Sequence, residues 1–174
     1  MSLEGKKVLL VTADKVDERE FIYPYFRLIE EGAQVTVAGM DDADTVTGNK
    51  GMQGLPVDGS IEELAAADFD ALVIPGGFAP DRMRQSEHLL SVVRDFDSAE
   101  KPIAFICHAG WVPVSAGILQ GRTATSVATI KPDLVNAGAT WLDEEVVIDG
   151  NLISSRTPDD LGPFMKAIIA ALHD

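Results

Sequence analysis

The chain has 174 residues, enough for one well-buried domain and too few for two ordinary ones. Its 46% apolar and 24% charged content is that of a soluble globular protein, not of a fibrous, disordered or membrane chain. Acidic residues outnumber basic ones 28 to 14, and a net charge of −14 repels phosphate backbones, which argues against a nucleic-acid partner. No apolar stretch reaches membrane-spanning length, so no membrane partner is expected. The opening residues, Met-Ser-Leu-Glu-Gly-Lys-Lys, carry no signal-peptide apolar region. A cytoplasmic location is therefore expected, with Met1 to Leu3 open to reading as a cloning remnant. The single cysteine excludes an internal disulfide and agrees with a reducing compartment.

In chain order, residues 7–12 form a first apolar run that reads as a buried strand. Residues 17–32 read as a helix, acidic at its start and stopped by Gly32, with Pro24 expected to kink it or to mark a separate first turn. Residues 34–38 give a second strand. From 41 to 59 the pattern dissolves into Asp, Thr, Gly and short apolar pairs, the composition of a small hairpin off the main sheet. Residues 61–67 suit a short helix capped by Ser60. Residues 71–74 are a third strand, followed by Pro75-Gly76-Gly77. Residues 80–98 read as one helix with Leu89, Leu90, Val93 and Phe96 at helical spacing.

A fourth strand, 103–106, ends on Cys107 and His108, then on Ala109-Gly110 and a short helix closing near Gly117. Residues 123–127 predict another strand, and 132–138 a short helix with proline at its start. Residues 146–153 are two apolar runs around Asp149-Gly150, a hairpin signal. Thr157 to Asp160 read as the cap of a last helix, whose stripe Leu161, Phe164, Met165, Ile168, Ile169 and Leu172 keeps a three-four spacing. Strands alternating with helices predict an α/β, flavodoxin-like three-layer sandwich: one domain, residues 1–174, with a mostly parallel sheet covered on both faces.

In such folds sites gather beyond the C-terminal strand ends. Three stretches converge there: the loop after Thr12, Gly76-Gly77, and Cys107-His108. A reactive cysteine on a sharp strand-to-helix turn stands clear of the sheet, and its neighbours must be small. The plain alternative is a buried cysteine acting as a small hydrophobe, and spacing leaves the two readings about even. Successive strand side chains point to opposite faces, so Cys107 and His108 share a site only if a true turn forms. Gly76 and Gly77 are either a flexible turn or a source of backbone N–H groups for an oxyanion. Asp17, Glu18 and Glu20 suit any helix start, and nothing intrinsic singles out Glu20. Asp81 likewise suits a first helical turn.

One cysteine with three scattered histidines (His88, His108 and His173) makes a metal site improbable. The loop 13–17 lacks the Gly, Ser and Thr that cradle phosphate, so no flavin or dinucleotide cofactor is expected.

Several motifs together are specific: Glu20-Phe-Ile-Tyr-Pro24, Ile74-Pro-Gly-Gly-Phe-Ala-Pro-Asp-Arg-Met-Arg84, Pro102-Ile-Ala-Phe-Ile-Cys-His108 and Ser115-Ala-Gly-Ile-Leu-Gln-Gly-Arg122. Asn136-Ala-Gly138, the 145–151 run and Ser154-Ser-Arg156 extend the pattern. On these the chain resembles the DJ-1/PfpI superfamily, and within it the PfpI-like branch of intracellular cysteine peptidases and stress proteins, over residues 7–172. The resemblance implies that Cys107 is the nucleophile, His108 its histidine partner and Glu20 the carboxyl at the sulfur. It implies that Gly77 and His108 supply the oxyanion N–H groups, with Gly76 beside them.

It further implies that Asp81 reaches the histidine of a neighbouring subunit in a homodimer or hexamer. Asp81 is one methylene shorter than the Glu usual there. Ala109-Gly110-Trp111 replaces the usual Gly-Pro, and Val127 a common site-lining Tyr. The expected activity is attack on a carbonyl, either peptide or amide hydrolysis or glyoxalase/deglycase action on methylglyoxal and its adducts. The helix N-terminus and His108 are expected to favour the thiolate. The alternative is a redox sensor or stress-protective protein oxidised at Cys107 without turnover. A glutamine amidotransferase would need a late His-x-Glu pair, and the only late histidine is His173.

Overall fold

The computed structural model describes residues 2–173. The first half of the chain runs β1 (Lys7–Val11), α1 (Glu18–Glu30), β2 (Gln34–Gly39), β3 (Thr45–Val46), β4 (Leu55–Pro56), β5 (Gly59–Ser60) and β6 (Ala71–Ile74). Then follow α2 (Ala79–Met83), α3 (Glu87–Ser98), β7 (Ile103–Ile106), α4 (Trp111–Ala116), β8 (Thr123–Ala124) and α5 (Lys131–Asn136). The chain ends with β9 (Thr140–Trp141), β10 (Val146–Asp149), β11 (Leu152–Ser155) and α6 (Leu161–His173). Short 3-10 turns separate several of them.

Strands β6 and β7 have no polar side chain and β1 only Lys7 at its start, so they are stable only with both faces covered. They lie together at the centre of a seven-stranded sheet of order β10-β11-β7-β6-β1-β2-β5. All neighbours are parallel except β10, which returns antiparallel on β11 through the Gly150–Asn151 turn. Helices α1 and α6 pack together against β2 and β11, while α3 lies on β6 and β7 with α4, and α2 touches α4. This is the α/β three-layer arrangement expected from the alternating pattern. Its core is one apolar cluster running through the sheet into both helical layers.

Four segments differ in some part from the expectation. The helix read over 80–98 is two, because Ser86 adopts extended backbone and accepts Leu89 N–H at 3.1 Å, starting α3 afresh. The helix read over 61–67 is two 3-10 turns, the first capped by Ser60. Only Thr123 and Ala124 of 123–127 are strand, paired with β9 away from the main sheet. There the amides of Thr123 and Thr125 are taken by Asp149 Oδ2 at 2.6 Å and Ser154 Oγ at 2.9 Å, leaving little for a ladder. Finally, α1 runs through Pro24 as a single helix.

Residues 41–59 do contain the small hairpin, β3 on β4. Thr157 flanks a 3-10 turn before α6 and makes no side-chain cap. Leu3 is fully buried and its N–H bonds Glu31 O at 2.7 Å. Met1 lies outside the described residues.

Phe164, Met165 and Ile168 form the buried stripe of α6. Phe164→Ala should lower unfolding free energy by about 3–5 kcal/mol through lost burial and a residual cavity. Urea denaturation followed by circular dichroism measures this. A loss under about 1 kcal/mol would mean that α6 is not part of the main core.

Candidate active site

The strand β7 is extended through Ile106, and the chain then reverses at Cys107, whose φ is +61°. Left-handed backbone costs a non-glycine residue about 1–2 kcal/mol, so the surrounding structure must impose it. The turn brings Cys107 Sγ within 3.3 Å of His108 Nδ1. Two consecutive residues of a continuing strand would point apart, so the sharp turn is what puts both on one side. Small neighbours make room. A Cβ on Gly76 would lie 2.6 Å from Glu20 Oε2 and 2.9 Å from Cys107 Cβ, and one on Gly77 would meet the backbone of residues 15–17. A Cβ on Gly110 would press on Ile130 and Leu134 at 3.2 Å.

Loop backbone ties the segments after β1 and β6 to each other and to Thr47 beside β3. Asp17 N–H bonds Gly76 O at 3.2 Å, Phe78 N–H bonds Lys15 O at 2.9 Å, and Lys15 N–H bonds Thr47 O at 2.7 Å. The Lys15 and Asp17 amides of the loop after β1 are thus spent inside the protein. Among the described residues no group of three or more His, Cys, Asp and Glu could hold a metal ion.

The three acidic residues at the start of α1 separate into three jobs. Asp17 caps the helix and pairs with Arg19 at 3.1 Å. Glu18 accepts Lys50 N–H at 2.8 Å and Met52 N–H at 3.3 Å, holding the excursion between β2 and β5. Glu20 is fully buried beside the elbow, and Gly76 N–H donates to its Oε2 at 2.7 Å. Its Oε1 meets no donor in good hydrogen-bond geometry, yet the thiol is close enough to interact with the carboxyl. Gly76, expected beside the oxyanion donors, therefore has its N–H committed to Glu20. The backbone N–H groups of Gly77 and His108 act on the thiol in the direction that favours its anion.

Burial, then the charge of Asp17, pushes the Glu20 carboxyl up to about 8, so it is mostly protonated at neutral pH. Burial, then the negative charge of Glu20, pushes the Cys107 thiol up to about 12 against the opposing N–H groups. Burial also lowers His108, which is neutral at neutral pH. The thiolate expected from the turn and the histidine alone is thus outweighed by burial. It becomes accessible when Glu20 carries a proton, which removes the repulsion and offers a donor to sulfur.

Asp81 lies in the first turn of α2 with its residue exposed, and the chain itself does not bring it to His108. The second imidazole nitrogen, Nε2, lies 3.4 Å from Thr129 Oγ1 instead. Val127 is half-buried in the same segment. Thr129 and the Trp111 ring, 5.3 Å from the imidazole, were not found from the sequence. Trp111 had signalled only a departure from pattern, and Thr129 had no signal at all.

A left-handed cysteine at the end of a central parallel strand, with a histidine and a buried carboxyl at its sulfur, defines a three-layer α/β protein with a nucleophile elbow. The chain belongs to the DJ-1/PfpI family, whose pattern matches residues 6–171. It is 45% identical over 166 residues to a deglycase of Pyrococcus horikoshii, covering 95% of this chain and 99% of that one. It is 37% identical over 170 residues to general stress protein 18 of Bacillus subtilis, covering 97% and 99%. Among solved structures it matches a two-domain protein of Anabaena variabilis containing DJ-1/ThiJ/PfpI-like and ferritin-like domains, with a TM-score of 0.94 and 39% identity. That match covers 97% of this chain and 48% of the two-domain protein. No helix among the described residues is long and apolar enough to cross a membrane.

Because Glu20 binds its proton more tightly folded than unfolded, its contribution to stability is full below about 4.5 and is lost as pH rises through about 8. Replacement by Gln removes this titration. Unfolding free energy of the wild type should therefore fall relative to Glu20→Gln across that window. The fall is a few kcal/mol at most, because each tenfold change in proton affinity is worth about 1.36 kcal/mol. Denaturant titrations at a series of pH values measure it, and parallel curves would show that Glu20 does not hold a proton in the folded state.

Proposed function

We propose that the protein is a cysteine-dependent enzyme of stress protection, acting as one domain inside the cell on small aldehydes of the methylglyoxal type and their adducts. The observation that carries this reading is the 3.3 Å approach of Sγ to His108 Nδ1 at a left-handed Cys107. In the tautomer with the proton on Nε2, Nδ1 is free to accept the thiol proton, with Thr129 Oγ1 able to accept from Nε2. The sulfur then attacks the aldehyde carbon, forming a C–S bond while the carbonyl π electrons move onto oxygen. The Gly77 and His108 N–H groups favour that oxyanion, and the imidazolium returns the proton to it, giving a hemithioacetal.

Glu20, protonated, supports the thiolate without repelling it. The similarity to a protein named deglycase favours glyoxalase/deglycase chemistry over peptide hydrolysis.

A panel of methylglyoxal, glyoxal and peptide substrates on wild type and Cys107→Ser tests the reading. Aldehyde consumption should fall by about 100-fold or more in Cys107→Ser. Stability should change by no more than about 1 kcal/mol, because serine differs from cysteine by one atom of similar size and leaves no cavity. Retained turnover would return Cys107 to the role of a small core residue. Peptide cleavage without aldehyde consumption would exchange one substrate class for the other.

The assembly we propose is a homodimer, or a hexamer built from dimers, in which Asp81 of one chain bonds His108 of the next. The support is that His108 Nε2 faces a hydroxyl and no carboxylate within the chain, while an imidazolium is stabilised by one. Mixing Cys107→Ser with Asp81→Asn chains should restore part of the activity lost in each. A monomer by light scattering, or no rescue after confirmed subunit exchange, would defeat the shared site.

A further inference from the structure

Within one chain the His108 ring has few restraints for an imidazole asked to face a thiol. Its two nitrogens meet Cys107 Sγ at 3.3 Å and Thr129 Oγ1 at 3.4 Å, both long contacts and neither to a carboxylate. A half-turn of the ring would take Nδ1 off the sulfur and leave a carbon there. One bulky neighbour opposes that rotation. The Trp111 indole stands 5.3 Å from the imidazole between centroids, tilted by 57°.

The indole is itself held from three helices. Its Nε1–H donates to Asp133 Oδ2 on α5 at 3.0 Å. The Arg84 guanidinium, at the end of α2, lies 5.5 Å from its centroid. Arg84 is tied in turn by its Nε–H to Ser115 Oγ on α4 at 2.9 Å. Among the described residues Arg84 forms no ion pair.

We propose that Trp111 is a positioning residue that holds His108 Nδ1 against the Cys107 thiol, with Asp133 and Arg84 fixing the indole. This rests on the proton-relay role given to His108 above and deepens it. An aromatic face also attracts a nearby cation, so the same ring favours the imidazolium when the thiol proton arrives. Asp133, accepting from the indole N–H, adds to that attraction, while the permanent charge of Arg84 on the same indole opposes it. Within one chain the other groups at the imidazole are Cys107, with Glu20 behind it, and the Thr129 hydroxyl; the assembly proposed above adds the Asp81 carboxyl of a neighbouring chain at Nε2. Trp111 thus links three helices of one layer to the orientation of a single ring.

The test uses the full chain and two readouts, one of them independent of substrate. Side-chain 15N NMR of His108, assigned by its loss in His108→Ala, should give distinct Nδ1 and Nε2 signals in wild type. In Trp111→Leu the two should move toward a common, tautomer-averaged value. Iodoacetamide alkylation of Cys107 should slow by about threefold or more in Trp111→Leu, and by less than about 1.5-fold when the same change is made on His108→Ala. Trp111→Phe, which keeps a ring but loses the N–H, should fall between.

Unchanged His108 signals, or equal slowing in both backgrounds, would overturn the proposal, since the indole would then act by access or packing alone. If Trp111→Leu does not fold, Asp133→Ala carries the same two readouts and Asp133→Asn, which keeps an acceptor, should rescue them. If His108→Ala alone alters neither alkylation nor aldehyde turnover, the proton-relay role fails, and the NMR signals still decide whether Trp111 orients the ring.

Discussion

The left-handed backbone of Cys107 is the constraint on which the site depends. An extended residue at that point would continue β7 and send the thiol and the imidazole to opposite faces of the sheet. The strain is sustained because the turn is wedged from every side. Gly76 leaves no space for a Cβ between Glu20 and the cysteine, and Gly110 packs under Ile130 and Leu134. The two tight loops after β1 and β6 are bonded to each other through Asp17, Gly76, Lys15 and Phe78. The parallel sheet makes this possible by bringing the C-terminal ends of β1, β6 and β7 into one row.

Burial then sets the proton chemistry. A carboxyl and a thiol share a dry space at the start of α1, and neither readily becomes charged while the other is. The pair is most stable with Glu20 neutral, which turns a repelling anion into a donor toward sulfur. Helical geometry explains why only one of three neighbouring acids does this. Glu18 and Glu20, two residues apart at about 100° per residue, face nearly opposite sides of the helix, while Asp17 is its non-helical cap. One closes the helix end, one holds a loop, and one reaches the cysteine.

Many residues that carry the family pattern away from the elbow serve the frame instead. Arg122 Nη2 donates to Asp149 O at 2.6 Å and Asn151 Oδ1 at 2.9 Å, tying the β10–β11 turn to the loop before β8. Ser155 Oγ donates to Glu145 O at 2.6 Å, and Arg156 binds Asp160 and Asp143 at 2.8 Å. These contacts brace the sheet edge next to the segment carrying Val127 and Thr129. A recognisable sequence pattern here marks architecture as much as chemistry.

The apolar runs at 7–11, 71–74 and 103–106, the Asp149-Gly150 turn and the stripe of α6 were legible in the sequence, because burial on two faces, a tight turn and a 3.6-residue period each leave a local signature. The elbow was legible too, as a cysteine after a buried strand followed by small residues. Beyond that, local pattern ran out. Nothing near Glu20 distinguishes it from Glu18; its role follows from which face of α1 meets the end of β6. The break in 80–98 depends on one serine hydroxyl choosing a backbone amide. Thr129 and Trp111 reach His108, and Asp133 reaches the indole, only because α4, α5 and the intervening turn fold back over the elbow. Sequence alone determined which segments must be buried and where the chain must turn, since those are properties of neighbouring residues. Tertiary structure alone decided which groups carry protons at the sulfur, because proton affinity is set by burial and by charges brought together from distant parts of the chain.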